Sequence, residues 1–298
     1  MSILDKTIVR LLPAVPKPVV RRLSERYIAG SSLDDARRVV AELNAAGKMA
    51  TIDVLGEEIV NPSEARAIAR AYLDVLDAID EDGLDANVSV KLTGLGLKLD
   101  PELARENVRA IAERGRFVRI DMEDSSTTDA TLRLYRELRA EGVENVGVVL
   151  QAMLKRTVAD ARDLAGANVR LCKGIYIEPP EIAFTDFDAV RANFVRALEV
   201  LLDGGCYVGI ATHDEWLVDQ SLRLVRELAL EPHQYEFQML LGVQTSLGDR
   251  LVAVGHRLRI YVPFGEKWYE YSLRRLQENP KVAGYVAADT LNRLVPGR

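Results

Sequence analysis

Eight short runs rich in β-branched and other apolar residues alternate with longer amphipathic helical patterns from residue 31 onward. The runs are ATIDVL (50–55), NVSVKL (87–92), FVRIDM (117–122), VGVVLQ (146–151), VRLCKG (169–174), YVGIAT (207–212), YEFQML (235–240) and LRIYVP (258–263). Strands that alternate with helices are typical of a parallel α/β sheet. Eight units in about 250 residues favour a closed (β/α)8 TIM-like barrel over an open doubly wound sheet. No GxGxxG motif follows the first run, which agrees with this choice.

The distribution of charge and proline predicts how the chain divides. Residues 1–30 contain six Lys and Arg but only two Asp and Glu, and they include Pro13, Pro16 and Pro18. We expect this segment to form a cap of extra N-terminal helices, with a foothold on an anionic membrane surface as the alternative. Residues 31–298 contain no linker or low-complexity stretch. We expect them to form one barrel-shaped catalytic domain.

Net charge and cysteine content narrow the functional class. The net charge of −6 disfavours nucleic acid as a partner, because phosphate binding needs a basic face. Cys172 and Cys206 lie in apolar runs, outside any CxxC or Cys/His cluster, so we expect reduced thiols and no metal site. No stretch has the apolar length of a membrane span. A cytoplasmic protein is expected, with peripheral contact to the inner face of the cell membrane if residues 1–30 bind lipid.

Polar side chains at the ends of the runs are the candidate functional residues. They are Asp53, Lys91, Asp121, Glu123, Gln151, Arg170, Lys173, Thr212, His213, Gln238 and Tyr261. Barrel active sites lie at the C-terminal ends of the strands, and buried charges need partners there. Simpler readings exist for single residues: Asp121 could pair with Arg119, and His213 could belong to an ordinary loop.

Basic residues are prominent in this set and just beyond the last run. Three of them end runs: Lys91, Arg170 and Lys173. The later stretch YEYSLRRL adds Arg274 and Arg275, with Tyr271 one helical turn earlier. Adjacent helical residues point about 100° apart, so the two arginines could approach one carboxylate from two sides. The pattern predicts an anionic ligand held by a carboxylate clamp, with Tyr271 as an apolar wall.

A set of motifs in this order resembles a known family. They are SVKL, RIDMED, VLQA, RLCKGIY, ATHD, EFQMLLG and RIYVPFGEKWYEYSLRRLQENP. Over roughly residues 30–280 the chain resembles proline dehydrogenase, and looks like its monofunctional bacterial form. The resemblance implies a distorted (β/α)8 barrel that holds FAD. It also implies oxidation of L-proline to Δ1-pyrroline-5-carboxylate, the first step of proline catabolism, by hydride transfer to flavin N5. A membrane quinone is then the electron acceptor, and pyrroline-5-carboxylate dehydrogenase is a further expected partner.

The resemblance also implies roles for individual residues. Lys91, Arg274 and Arg275 would bind the proline carboxylate, and Tyr261, Tyr271 and Leu240 would pack around its ring. Asp121 would orient polar neighbours beside the substrate, and Arg170 would bind the flavin near N5, which makes these two the expected catalytic residues. The other expected FAD contacts are Met122, Gln151, Lys173, Gly174, Ile175, Thr212, His213 and Glu278. Glu57 would pair with the clamp as a gate.

One position departs from the family pattern, and two other functional classes stay open. Ile175 stands where the family commonly has a small residue, so the range of substituted prolines that fit is in question.

A Schiff-base aldolase or lyase could use Lys91 or Lys173, because barrels of this kind place a lysine at a strand end. A non-catalytic barrel that binds an acidic metabolite is the third possibility.

Overall fold

Eight parallel strands close into a barrel in the computed structural model, which describes residues 26–56, 59–269 and 271–272. The strands follow one another around the barrel in chain order, and β1 pairs with β8 to close it. Their bounds are β1 Met49–Val54, β2 Ala86–Val90, β3 Val118–Ile120, β4 Val146–Gln151, β5 Asn168–Cys172, β6 Tyr207–Ala211, β7 Tyr235–Leu240 and β8 Leu258–Phe264. The predicted (β/α)8 barrel is therefore confirmed.

Helices connect the strands and cover the outside of the barrel. Their bounds are α1 Leu33–Ala45, α2 Pro62–Glu81, α3 Pro101–Ala112, α4 Thr128–Ala140, α5 Thr157–Arg162, α6 Phe187–Asp203, α7 Glu215–Glu227 and α8 Thr245–Ala253. Local sequence explains where they begin. Ser32 caps α1 in a capping box with Asp35, while Asn61 and Asp100 cap α2 and α3 just before a proline.

The strands place apolar and polar side chains on opposite faces. Along β2 and β3, Val88, Val90, Val118 and Ile120 belong to the hydrophobic core together with residues of the surrounding helices. The intervening positions are polar, because successive side chains in a strand point to opposite faces. The main hydrophobic core therefore lies between the strands and the helices, and the barrel interior is left for polar groups.

The predicted N-terminal cap lies almost wholly outside the described residues. Its last part is described and contacts the C-terminal end of β8. The backbone N–H of Ala29 donates to the carbonyl of Pro263 at 2.9 Å, and Gly265 donates to Gly30 at 3.1 Å. Ile28 packs with Leu55 and Tyr271 in a small apolar cluster. No helix in the described ranges is long and apolar enough to cross a membrane.

Candidate active site

Two groups of polar side chains fill the barrel interior at different depths. The deep layer consists of Arg119, Asn168, Tyr207, Glu236 and Arg259. The mouth layer lies toward the C-terminal ends of the strands and consists of Asp53, Ser89, Lys91, Asp121, Arg170 and Tyr261. Branched apolar residues usually fill the interior of such barrels, so this polar filling needs an explanation.

The deep layer is built around one buried ion pair. Arg259 donates to both carboxylate oxygens of Glu236, at 2.7 and 3.1 Å, and to the carbonyl of Ala50 at 2.7 Å. The hydroxyl of Tyr207 donates to the same carboxylate at 2.8 Å. Burial alone would raise the pKa of Glu236, but the charge of Arg259 and these hydrogen bonds outweigh it and lower the pKa. Glu236 is therefore a buried carboxylate at neutral pH.

Arg119 completes the deep layer by binding backbone. Its guanidinium donates to the carbonyls of Val148 and Asn168, at 2.9 and 2.8 Å, and to the side-chain oxygen of Asn168. The sequence reading that paired Asp121 with Arg119 does not hold, because the hydrogen bonds of Asp121 go to other residues. The deep layer thus consists of groups that bind each other and the barrel wall.

Asp121, at the end of β3, is the centre of the mouth layer. Its Oδ1 accepts from Arg170 Nη1 at 2.6 Å and from the Ser89 hydroxyl at 2.6 Å, and its Oδ2 accepts from the Tyr261 hydroxyl at 3.0 Å. Arg170 Nη1 also donates to Ser89 Oγ at 3.1 Å. The ammonium of Lys91 lies 3.9 Å from Oδ2. One carboxylate therefore orients a guanidinium, a phenol and a hydroxyl from three other strands.

Lys91 is tied to the fold through Asp53. Its Nζ donates to Asp53 Oδ2 at 2.8 Å and to the Tyr261 hydroxyl at 3.2 Å. Asp53 is fully buried, and its other oxygen lies 3.1 Å from the hydroxyl of Tyr72 in α2. Tyr72 also contacts the carbonyl of Ser89 at 2.6 Å. A covering helix thus helps to fix the position of the lysine.

Tyr261 links these groups and stays a neutral phenol. Its ring centre lies 5.4 Å from the Arg170 guanidinium carbon and 5.8 Å from Lys91 Nζ. Burial, followed by the negative charges of Asp121 and Asp53, raises the pKa of Tyr261 well above its ordinary value. The hydroxyl can therefore donate to Asp121 while it accepts from Lys91.

A cavity of about 300 Å³ opens at the mouth layer. It is lined by fourteen of the residues that the sequence singled out: Lys91, Asp121, Met122, Gln151, Arg170, Lys173, Gly174, Ile175, Thr212, His213, Gln238, Leu240, Tyr261 and Tyr271. Two further candidates, Asp53 and Glu123, do not line it. The remaining four, Glu57, Arg274, Arg275 and Glu278, lie outside the described residues. Val149, Cys172, Tyr176, Ala211 and Met239 complete the lining.

One side of the cavity offers hydrogen-bonding groups for a ligand. The side-chain nitrogen of Gln151 donates to the carbonyl of Met122 at 3.2 Å, but its buried Oε1 has no partner among the described residues. The hydrogen bonds of Arg170 to other described residues use Nε and Nη1 and leave Nη2 as a further donor. A ligand with both donors and acceptors would satisfy these atoms. Gly174 adopts a φ of +94°, and a Cβ there would lie 2.6 Å from Met153, so a side chain would not fit.

The loops that follow β5 and β6 are fixed by ion pairs of Asp214 and by a hydrogen bond of His213. Asp214 pairs with Lys173 at 3.2 Å and with Arg191 at 2.7 Å. Burial opposes the charge of Asp214, but the hydrogen bond from Arg191 and the charge of Lys173 lower its pKa. His213 Nε2 accepts from the backbone N–H of Leu240 at 2.9 Å, which fastens this loop to β7.

The three basic residues that the sequence predicted at the strand ends are all ion-paired in the structure. Lys91, Arg170 and Lys173 lie around one cavity as expected, but each is paired with a carboxylate, of Asp53, Asp121 and Asp214 respectively. The described wall therefore gives no excess positive charge, and the two arginines of the predicted clamp, Arg274 and Arg275, lie outside the described residues. Cys172 packs against the main hydrophobic core and also lines the cavity, and burial raises the pKa of its thiol to about 11.

Sequence reasoning missed one residue of the network. Ser89 bonds both Asp121 and Arg170, yet it lies inside a run and not at its end. The alternation of polar Asn87, Ser89 and Lys91 in NVSVKL was the available signal, because it places all three on one face of the strand.

The chain is similar to known proteins in both sequence and fold. The family model described as proline dehydrogenase matches residues 36–288. Proline dehydrogenase 1 of Bacillus subtilis is 37% identical over 276 residues, which cover 91% of both chains. Proline dehydrogenase of Deinococcus radiodurans is 36% identical over 279 residues, which cover 90% of both. The structure of proline utilization A from Bdellovibrio bacteriovorus, inactivated by N-propargylglycine, superposes with a TM-score of 0.81 at 25% identity, over 87% of this chain and 33% of that one.

Proposed function

The chain belongs to the proline dehydrogenase family, and from this premise we propose that it oxidises L-proline to Δ1-pyrroline-5-carboxylate with FAD as its cofactor. The observation that carries the proposal is the network centred on Asp121, which holds Arg170, Tyr261 and Lys91 at the wall of one cavity. The reaction removes two electrons and two protons from the C–N bond of proline. FAD would supply the acceptor, taking a hydride at flavin N5.

The cavity wall fits the polar edge of a flavin. Among the described residues, Gln151 Oε1 is an acceptor without a partner. The hydrogen bonds that Arg170 makes to described residues use Nε and Nη1 and leave Nη2 as a further donor. A heterocycle with N–H and carbonyl groups would satisfy both. We assign the FAD contacts to Arg170, Met122, Gln151, Lys173, Gly174, Ile175, Thr212, His213 and Glu278. The positive charge of Arg170 would favour a more electron-rich ring system beside it.

Lys91 and the aromatic residues are suited to proline itself. The Lys91 ammonium would bind the substrate carboxylate together with Arg274 and Arg275. Tyr261, Tyr271 and Leu240 line the same cavity and would pack against the pyrrolidine ring. Glu57 would act as the gate that pairs with the clamp.

Asp121 would act by orienting its neighbours and not by taking a proton. It accepts hydrogen bonds from Arg170, Ser89 and Tyr261, so its oxygens are occupied in the structure. The amine of proline would need to enter the reaction in its neutral form, since hydride departs from the adjacent carbon only with a lone pair available.

A membrane quinone would receive the electrons from the reduced cofactor, and pyrroline-5-carboxylate dehydrogenase would take the product. Contact with the inner face of the cell membrane would bring the protein to a lipid-soluble acceptor. Residues 1–30, with their local excess of basic residues, are the proposed contact.

The Schiff-base alternative is less well supported. Lys91 and Lys173 are both ion-paired with aspartates, at 2.8 and 3.2 Å. A Schiff base forms from a neutral amine, whereas a carboxylate partner stabilises the ammonium form. The non-catalytic reading gives no reason for a network that arranges three different donors around one carboxylate.

An absorbance scan of the purified protein tests the proposal. We expect a flavin spectrum that bleaches when L-proline is added without oxygen. A yellow protein that proline does not bleach would refute the substrate. A colourless protein that forms a borohydride-stable lysine adduct with a carbonyl substrate would establish the Schiff-base class, and the adduct mass would identify the lysine. Stabilisation by acidic metabolites without turnover would support the non-catalytic reading.

A further inference from the structure

A chain of hydrogen bonds connects the deep layer with the cavity. Arg170 Nε donates to Gln238 Oε1, and Gln238 Nε2 donates to Glu236 Oε1, both at 2.5 Å. Glu236 is 2% exposed and does not line the cavity. We infer that Glu236 is a positioning residue, which acts through Gln238 to hold the Arg170 guanidinium toward the cavity. The inference rests on the proposed function, which places FAD beside Arg170.

The Arg170 guanidinium is held from two sides. Asp121 and Ser89 bind its Nη1, and Gln238 binds its Nε on the other side of the guanidinium. Two opposed supports fix the plane of the group without using Nη2, and Arg170 lines the cavity. Without Gln238, the guanidinium could rotate about its remaining contacts, because a single bound nitrogen does not define a plane.

The side-chain amide of Gln238 must take one particular orientation to bind Arg170. An amide has an acceptor end and a donor end, and only one of its two orientations presents oxygen to Arg170. An ionised carboxylate only accepts hydrogen bonds, so Glu236 selects the orientation with nitrogen toward itself. The opposite orientation would set two donors against each other and two acceptors against each other.

The deep layer keeps Glu236 ionised and holds it in one position. Arg259 contacts both of its oxygens, and Tyr207 contacts Oε2. Space for the amide comes from Gly209, where a Cβ would lie 2.4 Å from Gln238 Nε2. The sequence therefore provides a fixed acceptor and the room that Gln238 needs to reach it.

Three variants of the FAD-loaded protein test the inference. Glu236→Gln removes the obligatory acceptor, and Gln238→Leu removes the link itself. Tyr207→Phe removes one bond to Oε2 and leaves Arg259 to hold both oxygens of Glu236. We expect kcat to fall by about tenfold in Gln238→Leu, the size of one lost hydrogen bond to a charged group. Glu236→Gln should change it in the same direction, whereas Tyr207→Phe should change it by less than about twofold. The KM for proline should change little.

Two readouts separate positioning from general damage. The reduction potential of the bound flavin should become more negative in Glu236→Gln and Gln238→Leu, but not in Tyr207→Phe. The Nε–H resonance of Arg170 in ¹⁵N NMR spectra should be protected from exchange in the parent and in Tyr207→Phe, and lose that protection in the other two. Equal changes in all three variants would overturn the inference, as would an unchanged flavin potential and Arg170 resonance in a folded Gln238→Leu.

The NMR readout also separates this inference from the proposed function. A parent protein that proline does not bleach would refute the function and leave the Arg170 resonance as a test of the hydrogen-bond chain. If Glu236→Gln does not fold, Gln238→Leu decides the question, because it leaves the ion pair between Glu236 and Arg259 in place.

Discussion

The deep layer and the mouth layer contain the same kinds of side chain but differ in what those side chains bind. In the deep layer, Arg259, Tyr207 and Glu236 bind one another, and Arg119 binds backbone carbonyls. In the mouth layer, Arg170 and Tyr261 share Asp121, and both also line a cavity. Of these two layers, only the mouth layer is placed to contact a ligand directly.

Breaking the ion pair between Glu236 and Arg259 should have the largest effect of all, a loss of free energy of unfolding. Arg259→Met leaves the Glu236 carboxylate buried without its cation, which should lower the free energy of unfolding by about 3–5 kcal/mol at pH 7. Urea denaturation followed by circular dichroism measures this. The matched control is Arg250→Met, because Arg250 pairs with Glu215 on the surface and should contribute less than about 1 kcal/mol.

The pH dependence of that loss gives a second check. The pKa of Glu236 is lowered in the folded protein, so its stabilising contribution is present above the unfolded pKa, near about 4.3, and is lost as pH falls through the folded value. Arg259→Met removes this contribution, so the difference from the parent should shrink at acidic pH. A difference that grows on acidification would show that Glu236 is not the carboxylate concerned.

Substitutions in the mouth layer should lower turnover more than they lower the free energy of unfolding. Arg170→Met removes the charge proposed to lie beside the flavin, and kcat should fall on the order of 10²–10³-fold. Stopped-flow reduction of the bound flavin by proline measures the step directly. A loss of stability as large as that of Arg259→Met, with turnover preserved, would erase the distinction between the two layers.

Lys91→Met tests binding within the mouth layer. Loss of a charged hydrogen bond to the substrate carboxylate should weaken proline binding by about 1.5–3 kcal/mol. Proline titration of the anaerobic flavin spectrum gives the affinity. FAD content should not change, and a colourless variant would mean that Lys91 serves the cofactor instead of the substrate.

Tyr261→Phe should have the smallest effect of the four changes. It keeps the ring and removes one hydroxyl that donates to Asp121 and accepts from Lys91. We expect a loss of about 0.5–1.5 kcal/mol in the combined barrier for binding and turnover, measured as kcat/KM. An effect equal to that of Arg170→Met would assign the phenol a direct part in the reaction.

The regular part of this structure could be predicted from sequence. The bounds of β4 and β7 agree with the predicted runs, and a turn directly follows each strand. The run 169–174 was extended too far, since β5 ends at Cys172 and Gly174 takes a positive φ that a strand does not allow. Run 117–122 was also too long, because β3 is only three residues.

The partners of the charged residues were harder to predict than their positions. Asp53 and Lys91 are 38 residues apart in sequence, and Lys173 and Asp214 are 41 apart. These pairs depend on which strands and loops become neighbours, and on how far each side chain reaches. A list of strand-end residues gives the wall of the cavity but not the ion pairs that neutralise it.

The alternation of charged and apolar residues along these strands has a consequence for folding. If β3 were displaced by one position, Ile120 would point into the barrel, and Arg119 and Asp121 would face the covering helices without partners. A polar interior thus penalises misaligned pairing far more than an interior of interchangeable aliphatic groups could. The polar side chains of both layers therefore also act against misaligned strand pairing during folding.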